Sequence, residues 1–170
     1  MKKPSILGKN KQTQPSAIIG WREWLALPDL GIPAIKAKID TGARTSALHT
    51  FSLEEFEADG RPMVRFRIHP LQKRKDIEIH CQAPLVERRR VKDSGGHMEN
   101  RYVIETLAVL KNESWKIKVT LTNRDSMMFR MLLGRTALET RFIIDSGRSY
   151  TAGRSLAKAY PGRTRLERNP

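Results

Sequence analysis

Apolar and polar residues alternate over much of the chain. In PMVRFRIHP the apolar set is Val64, Phe66 and Ile68; in DIEIHCQ it is Ile77, Ile79 and Cys81; in SWKIKVTLT it is Trp115, Ile117, Val119 and Leu121. A period of two sends successive side chains to opposite faces of an extended backbone, so each segment reads as a strand with one buried face. AIIGWREWLAL, AIKAKID, TSALHTFSL, NRYVIETLAVL and MMFRMLL read as further strands, making about eight. Between them PDLGIP, ADGRP, DSGG, KNES and TNRDS carry the Gly, Asp, Asn and Pro that sharp reversals use. One short helix is predicted at GRTALETRF, with Ala137, Leu138 and Phe142 facing inward. Many strands and one helix predict an all-β, barrel-like domain with antiparallel pairing.

The ends lack this pattern. Residues 1–16 and 151–170 are polar, basic and non-periodic, and are expected to be flexible tails on one folded unit at 17–150. The formal charge of +14 on 170 residues attracts phosphate, acidic peptides or anionic surfaces whatever the fold. Lys2, Lys3, Lys9 and Lys11, with Arg154, Lys158, Arg163, Arg165 and Arg168 against Glu167, supply more than half of it. The clusters QKRK (72–75) and VERRRVK (86–92) read individually as solvated loops beside strands. No RNA-binding aromatic pattern, zinc finger or helix-turn-helix accompanies them, yet the charge leaves nucleic acid or a ribosomal protein open as a partner. No run of about 18 apolar residues predicts a membrane span. MKKPSILGKNKQTQPS lacks the apolar stretch of a secretory signal, and the one cysteine forms no intramolecular disulfide, so a cytoplasmic location is expected.

KIDTGART offers chemistry. Asp40 ends an apolar strand and is expected at the floor of a cleft; Thr41 can hold the loop through its hydroxyl; Gly42 lets the backbone turn where a side chain would collide; Ala43 packs tightly. An aspartate that activates water for peptide hydrolysis works beside a second carboxylate, the two sharing one proton. Taken alone the four residues also describe an ordinary turn at a strand end. Downstream, however, stands MLLGRTALE, in which two apolar residues precede Gly134, Arg135 and a short helix.

Together these motifs resemble the two halves of the retropepsin active-site base. KAKIDTGARTSALH, VRFRIHP, LLGRTALE and RFIIDSGRSY are similar to bacterial proteins described as ATP-dependent zinc proteases and grouped with retropepsin-like aspartic endopeptidases, over residues 17–150. The resemblance implies a retropepsin-like acid-protease barrel that works as a homodimer, Asp40 pairing with its symmetry mate to hydrolyse a peptide or protein substrate. It also implies that Thr41 braces the two loops across the axis, that Gly42 lines the cleft, and that a hairpin carrying Ser94, Gly95 and Gly96 closes as a flap. Arg44 stands where retroviral enzymes carry an acid, which leaves Arg135 without that partner and favours acidic peptides. The family is associated with ATP-grasp ligases that add glutamates to proteins.

Asp145, in FIIDSGRS, is a rival second carboxylate for a pepsin-like monomer. Arg148 where Ala is expected, and the lack of an apolar-apolar-Gly segment after it, argue instead for a turn following the last strand. DSGG at 93–96 has basic residues rather than an apolar strand before it. For zinc, His49, His69, His80 and His97 are scattered, with no H-E-x-x-H and no paired cysteines. His80 and Cys81 point to opposite faces of a strand; Cys81 reads as a core residue, and His49 as structural although near the cleft. No P-loop or G-x-G-x-x-G is present, so no cofactor is expected in this chain. Trp21, Trp24 and Trp115 read as core or dimer-interface residues. Two functions follow: an aspartic endopeptidase acting on acidic or glutamate-rich tails, or a non-catalytic adaptor that binds a ligase or ribosomal partner through its basic surface.

Overall fold

The computed structural model describes residues 17–92, 96–123 and 128–161. β1 (Ala17–Gly20) and β2 (Arg22–Leu27) flank a bend at Trp21, and a 3-10 turn over Pro28–Leu30 leads into β3 (Ile32–Asp40). Next come β4 (Ser46–Thr50), β5 (Ser52–Ala58), β6 (Arg61–Ile68), β7 (Ile79–Pro84), β8 (Glu87–Lys92), β9 (Met98–Leu110), β10 (Glu113–Asn123) and β11 (Met131–Gly134). The single-turn helix α1 (Arg135–Leu138) and β12 (Phe142–Asp145) precede a 3-10 segment over Ser155–Ala159. No helix among the described residues is long and apolar enough to cross a membrane.

The alternation predicted the faces well. Val64, Phe66 and Ile68 are at most 2% exposed, and Trp115, Ile117, Val119 and Leu121 at most 6%. Ile77 falls outside β7, but Ile79 and Cys81 lie in it. Six strands, in the order β10-β4-β11-β3-β2-β9 with β9 returning to β10, close a barrel. The sheet β5-β6-β7 adds Val64, Phe66, Cys81 and Ala83 to the same core as Leu25, Ile35, Ile104 and Leu133. Trp24 and Trp115 are buried, as expected, whereas Trp21 is half-buried and meets Phe129 edge-on at 6.0 Å.

Two expected strands are each two, because the chain changes partner midway. At Trp21 the amide donates to Arg148 O (2.9 Å) while its carbonyl accepts from Ile39 N (2.8 Å), carrying the chain from β12 to β3. At Phe51 the amide bonds Arg67 O (3.0 Å) and the ring stacks on His69 at 4.1 Å, turning the chain out of the barrel into β5. Pairing also differs from the antiparallel expectation in three places. β1–β12, β10–β4 and β3–β11 are parallel. Parallel neighbours need long connections, so they come from distant parts of the chain and alternation carries no trace of them.

The tail expected from residue 151 onward is folded as far as Pro161. Glu23 is fully buried, and its carboxylate accepts from Gly20 N (2.7 Å), Thr151 N (2.9 Å), Thr151 Oγ1 (2.7 Å) and Ala152 N (3.1 Å). A buried charge needs such donors, and these come from both ends of the folded unit. Ala157 and Tyr160 then pack with Trp24, Ala34, Leu71 and Tyr150 on the outer face of β2 and β3. Cys81 is a core residue as expected: its Sγ donates to Leu30 O at 3.3 Å, and burial pushes the thiol up to about 12. His80 beside it is exposed.

Burial also pushes the Tyr160 phenol from 10.0 up to about 12, and the neutral hydroxyl donates to Ala34 O at 2.5 Å. Its contribution to stability is therefore complete below pH 10 and is lost as the pH rises through about 12. Tyr160→Phe is expected to lower unfolding free energy at neutral pH by about 1 kcal/mol, read by denaturant unfolding, and to remove the latest phase of the tyrosine ultraviolet titration.

Candidate active site

Asp40 ends β3 on the face opposite Ile35, Ala37 and Ile39, whose side chains fill the barrel. The chain turns at once, and the Asp40 carboxylate holds the turn: Oδ1 accepts from Gly42 N and Ala43 N, both at 3.1 Å. Its other oxygen accepts no hydrogen bond among the described residues. One oxygen is thus fixed by the backbone and the other is available.

A strand from much later in the chain holds this loop. β3 and β4 are consecutive but do not pair; β11 lies between them, parallel to β3 with Gly134 opposite Asp40 and antiparallel to β4. The loop joining β3 to β4 therefore passes over the end of β11. Gly134 N donates to Ser46 Oγ (3.0 Å), Arg135 N to Ala43 O (2.8 Å), and Thr136 to Arg44 O through both N (3.1 Å) and Oγ1 (2.9 Å). Contact is so close that a Cβ on Gly134 would lie 2.5 Å from the Thr45 carbonyl carbon and 2.8 Å from Ser46 N.

The structure brings Asp40, Thr41, Gly42, Ala43, Arg44, Gly134 and Arg135 together, but assigns some of them different work. A side chain would collide at Gly134, not at Gly42, where a Cβ would meet only Asp40 Oδ1 at 3.4 Å. The Thr41 hydroxyl makes no hydrogen bond among the described residues and stays at the surface; its carbonyl accepts from Arg135 Nη1 at 3.2 Å. Arg135 thus finds a carbonyl where the retroviral pattern supplies an acid. Arg44 is exposed. Ser46 and Thr136, which sequence reading passed over, tie the loop to β11 and α1 respectively; hydroxyl residues flanking a Gly-bearing turn were the available signal.

The expected hairpin is β8–β9, with Glu87 opposite Val103 and Lys92 opposite Met98. Gly96 lies at its tip with φ +86°, a left-handed conformation that suits glycine. Ser94 and Gly95 lie outside the described residues. At the base, Arg89 pairs with Glu87 (2.8 Å) and reaches Thr45 Oγ1 (3.4 Å), linking the hairpin to the Asp40 loop.

Asp145 stands in a second copy of the same local arrangement. Ile18, Ile19 and Gly20 run parallel to Ile143, Ile144 and Asp145, with Gly20 opposite Asp145 as Gly134 is opposite Asp40. Asp145 Oδ1 accepts from Gly147 N at 2.9 Å, and a Cβ on Gly20 would lie 2.3 Å from Arg148 O. The apolar-apolar-Gly segment that sequence reading missed after Asp145 precedes it, at the start of the fold. Trp21 lies between the Ile39 and Arg148 backbones and is bonded to both, so the two units flank it. The remaining oxygen, Asp145 Oδ2, is paired with Arg148 at 3.3 Å.

The described residues do not fit zinc. His49 is buried with Nδ1 on the Thr122 hydroxyl (3.1 Å), His69 is stacked on Phe51, and His80 and His97 are exposed. Among the described residues no three His, Cys, Asp or Glu side chains converge.

A family model described as "Retropepsin-like aspartic endopeptidase RimB" matches residues 18–155. The chain belongs to this RimB-like family. The closed barrel with its one short helix is accordingly the retropepsin-like fold of a RimB-like chain. The crystal structure of a protein of unknown function from Legionella pneumophila is similar, with a TM-score of 0.68 and 28% identity over 81% of this chain and 98% of that one. Proteins described as probable alpha-L-glutamate ligases from Shewanella halifaxensis and Desulfotalea psychrophila are 45% and 46% identical over 80% and 84% of this chain. The chain spans only 30% and 32% of their lengths.

Gly134→Ala is expected to destabilise the RimB-like fold by about 1–3 kcal/mol, because the Thr45–Ser46 peptide must shift. Gly42→Ala should unfold close to wild type; thermal melts of both variants distinguish a clamp at Gly134 from a general demand for glycine in the loop.

Proposed function

We propose that the protein is an aspartic endopeptidase whose active form is a homodimer. The observation that carries this reading is Asp40: a carboxylate with one oxygen fixed by two amides and the other available, one per chain, in a retropepsin-like fold. In the dimer Asp40 and its mate share one proton across the axis. The ionised carboxylate takes a proton from water, whose oxygen attacks the peptide carbonyl carbon while the protonated carboxyl polarises the carbonyl oxygen. Breaking the C–N bond releases a carboxylic acid and an amine, the proton passing to the amine nitrogen. Thr41, with its hydroxyl at the surface, braces the two loops, and the β8–β9 hairpin covers the substrate and excludes water.

Two further features support the dimer and its substrate class. β12 has no neighbour on its outer edge among the described residues, and Ile18 and Ile143, opposite one another, are 49% and 54% exposed. A paired apolar patch on a two-stranded sheet suits contact with a second copy. Exposed Arg44 and the charge of +14 favour acidic substrates such as glutamate-rich tails.

A second reading makes the chain a non-catalytic adaptor for an ATP-grasp ligase or ribosomal partner. The relatives described as probable alpha-L-glutamate ligases favour it, because there a segment like this chain is part of a longer protein.

Asp40→Asn is expected to abolish cleavage of glutamate-rich peptides without changing the melting temperature appreciably, and chelators should leave wild-type turnover intact. Turnover that survives Asp40→Asn, or a partner bound equally well by both proteins in the absence of any cleavage, rejects the peptidase. Ile143→Lys is expected to shift the solution mass toward the monomer and to reduce turnover with it, measured by light scattering and peptide assay.

A further inference from the structure

β3 carries more than Asp40 on its outer face. While Ile35, Ala37 and Ile39 point into the barrel, Lys36, Lys38 and Asp40 share the other side, so a line of positive charge runs up to the carboxylate. β2 adds to it: Arg22 lies directly opposite Lys38, and Trp24 opposite Lys36. Two cations directly across a strand pair repel each other. Neither Arg22 nor Lys38 makes an ion pair with a carboxylate among the described residues, and on this face of β2, β3 and β11 Asp40 is the only acid they include.

Aromatic rings hold the cations in place. The Arg22 guanidinium lies 4.4 Å above the Trp21 ring and 5.0 Å from Tyr150, and its Nε donates to Ser149 Oγ at 3.1 Å. Lys36 Nζ lies 5.4 Å from Trp24 and 5.5 Å from Tyr150, and the Arg154 guanidinium lies 4.5 Å from the Tyr150 ring. Tyr150 is itself held at φ +56°, a conformation that a bulky residue adopts only when its surroundings impose it. Such stacking positions a cation on a ring without itself neutralising the charge.

We propose that Lys38, assisted by Arg22, is a specificity residue that receives an acidic side chain of the peptide held at Asp40. This rests on the peptidase reading above. Two residues along β3 separate Lys38 from Asp40, about 7 Å, which suits a glutamate side chain adjoining the scissile bond. A carboxylate placed there bridges the two cations and relieves their repulsion, giving an acidic residue an advantage that an amide of the same shape lacks. Fixed by its stack, Arg22 offers a planar donor group with little orientational freedom left to lose.

The test uses the full chain. Binding of a hexaglutamate-containing peptide and of its glutamine counterpart is measured by calorimetry on Asp40→Asn, with and without Lys38→Ala, and a single-stranded RNA oligonucleotide is measured alongside. Lys38→Ala is expected to weaken the glutamate peptide roughly tenfold and leave the glutamine peptide unchanged, with Lys38→Arg restoring most of the loss. In the active protein the same change should raise KM for the acidic peptide with kcat little altered. Equal glutamate affinity with and without Lys38, parallel loss for both peptides, or a loss larger for RNA than for peptide overturns the assignment. Lys38-dependent binding without any cleavage by wild type leaves the subsite standing and rejects the peptidase. Cleavage whose acid preference ignores Lys38 does the reverse.

Discussion

The shape of the site depends on a missing side chain. Because Gly134 has no Cβ, the peptide between Thr45 and Ser46 can lie directly on β11, and two strands consecutive in the chain can admit a third between them. Without that insertion the residues after Asp40 would be a surface turn restrained only by the aspartate. With it, Ser46 is bonded to the end of β11, Ala43 and Arg44 to the start of α1, and Arg135 reaches Thr41. The carboxylate is therefore held by its own loop, and the loop in turn by β11 and α1, which is the rigidity a candidate catalytic group needs.

The second aspartate unit shows how the same frame can be put to different use. Asp40 and Asp145 each fold back on a following glycine amide, and each stands beside a glycine too crowded for a side chain. The contrast is in the second oxygen. Arg148 occupies it in one unit, while in the other it accepts no hydrogen bond among the described residues. Charge placed around a repeated backbone motif, not the motif itself, separates a structural turn from a candidate centre.

Much of this was legible in the chain. The alternation at Val64, Phe66 and Ile68, and again from Trp115 to Leu121, reports burial directly, because each strand has one face on the core. Asp40 and Gly134 were legible as a pair since each sits in a motif with its own local signature. Partner choice was not legible: nothing at Trp21 or Phe51 announces that the strand ends there, because the reason is a hydrogen bond to Arg148 or Arg67 far along the chain. The segment after residue 150 misled for a related cause. Its composition is polar, but its order comes from Glu23, whose single buried carboxylate binds three of its donor groups. Ile18, Ile19 and Gly20 are not legible as the counterpart of Asp145, because the fold supplies that strand from the opposite end of the folded unit rather than from the residues that follow the aspartate.

That β1 and β12 lie side by side also governs how the molecule can assemble as it is made. The first described strand has no sheet to join until the twelfth has been synthesised, and β3, although it pairs at once with β2, gains its other neighbour only with β11. Loops of such length close slowly and leave apolar strands uncovered in the interval. A nascent chain halted midway already holds the β2–β3 pair and the β5-β6-β7 sheet, but the barrel closes only once β9, β10 and β11 have followed.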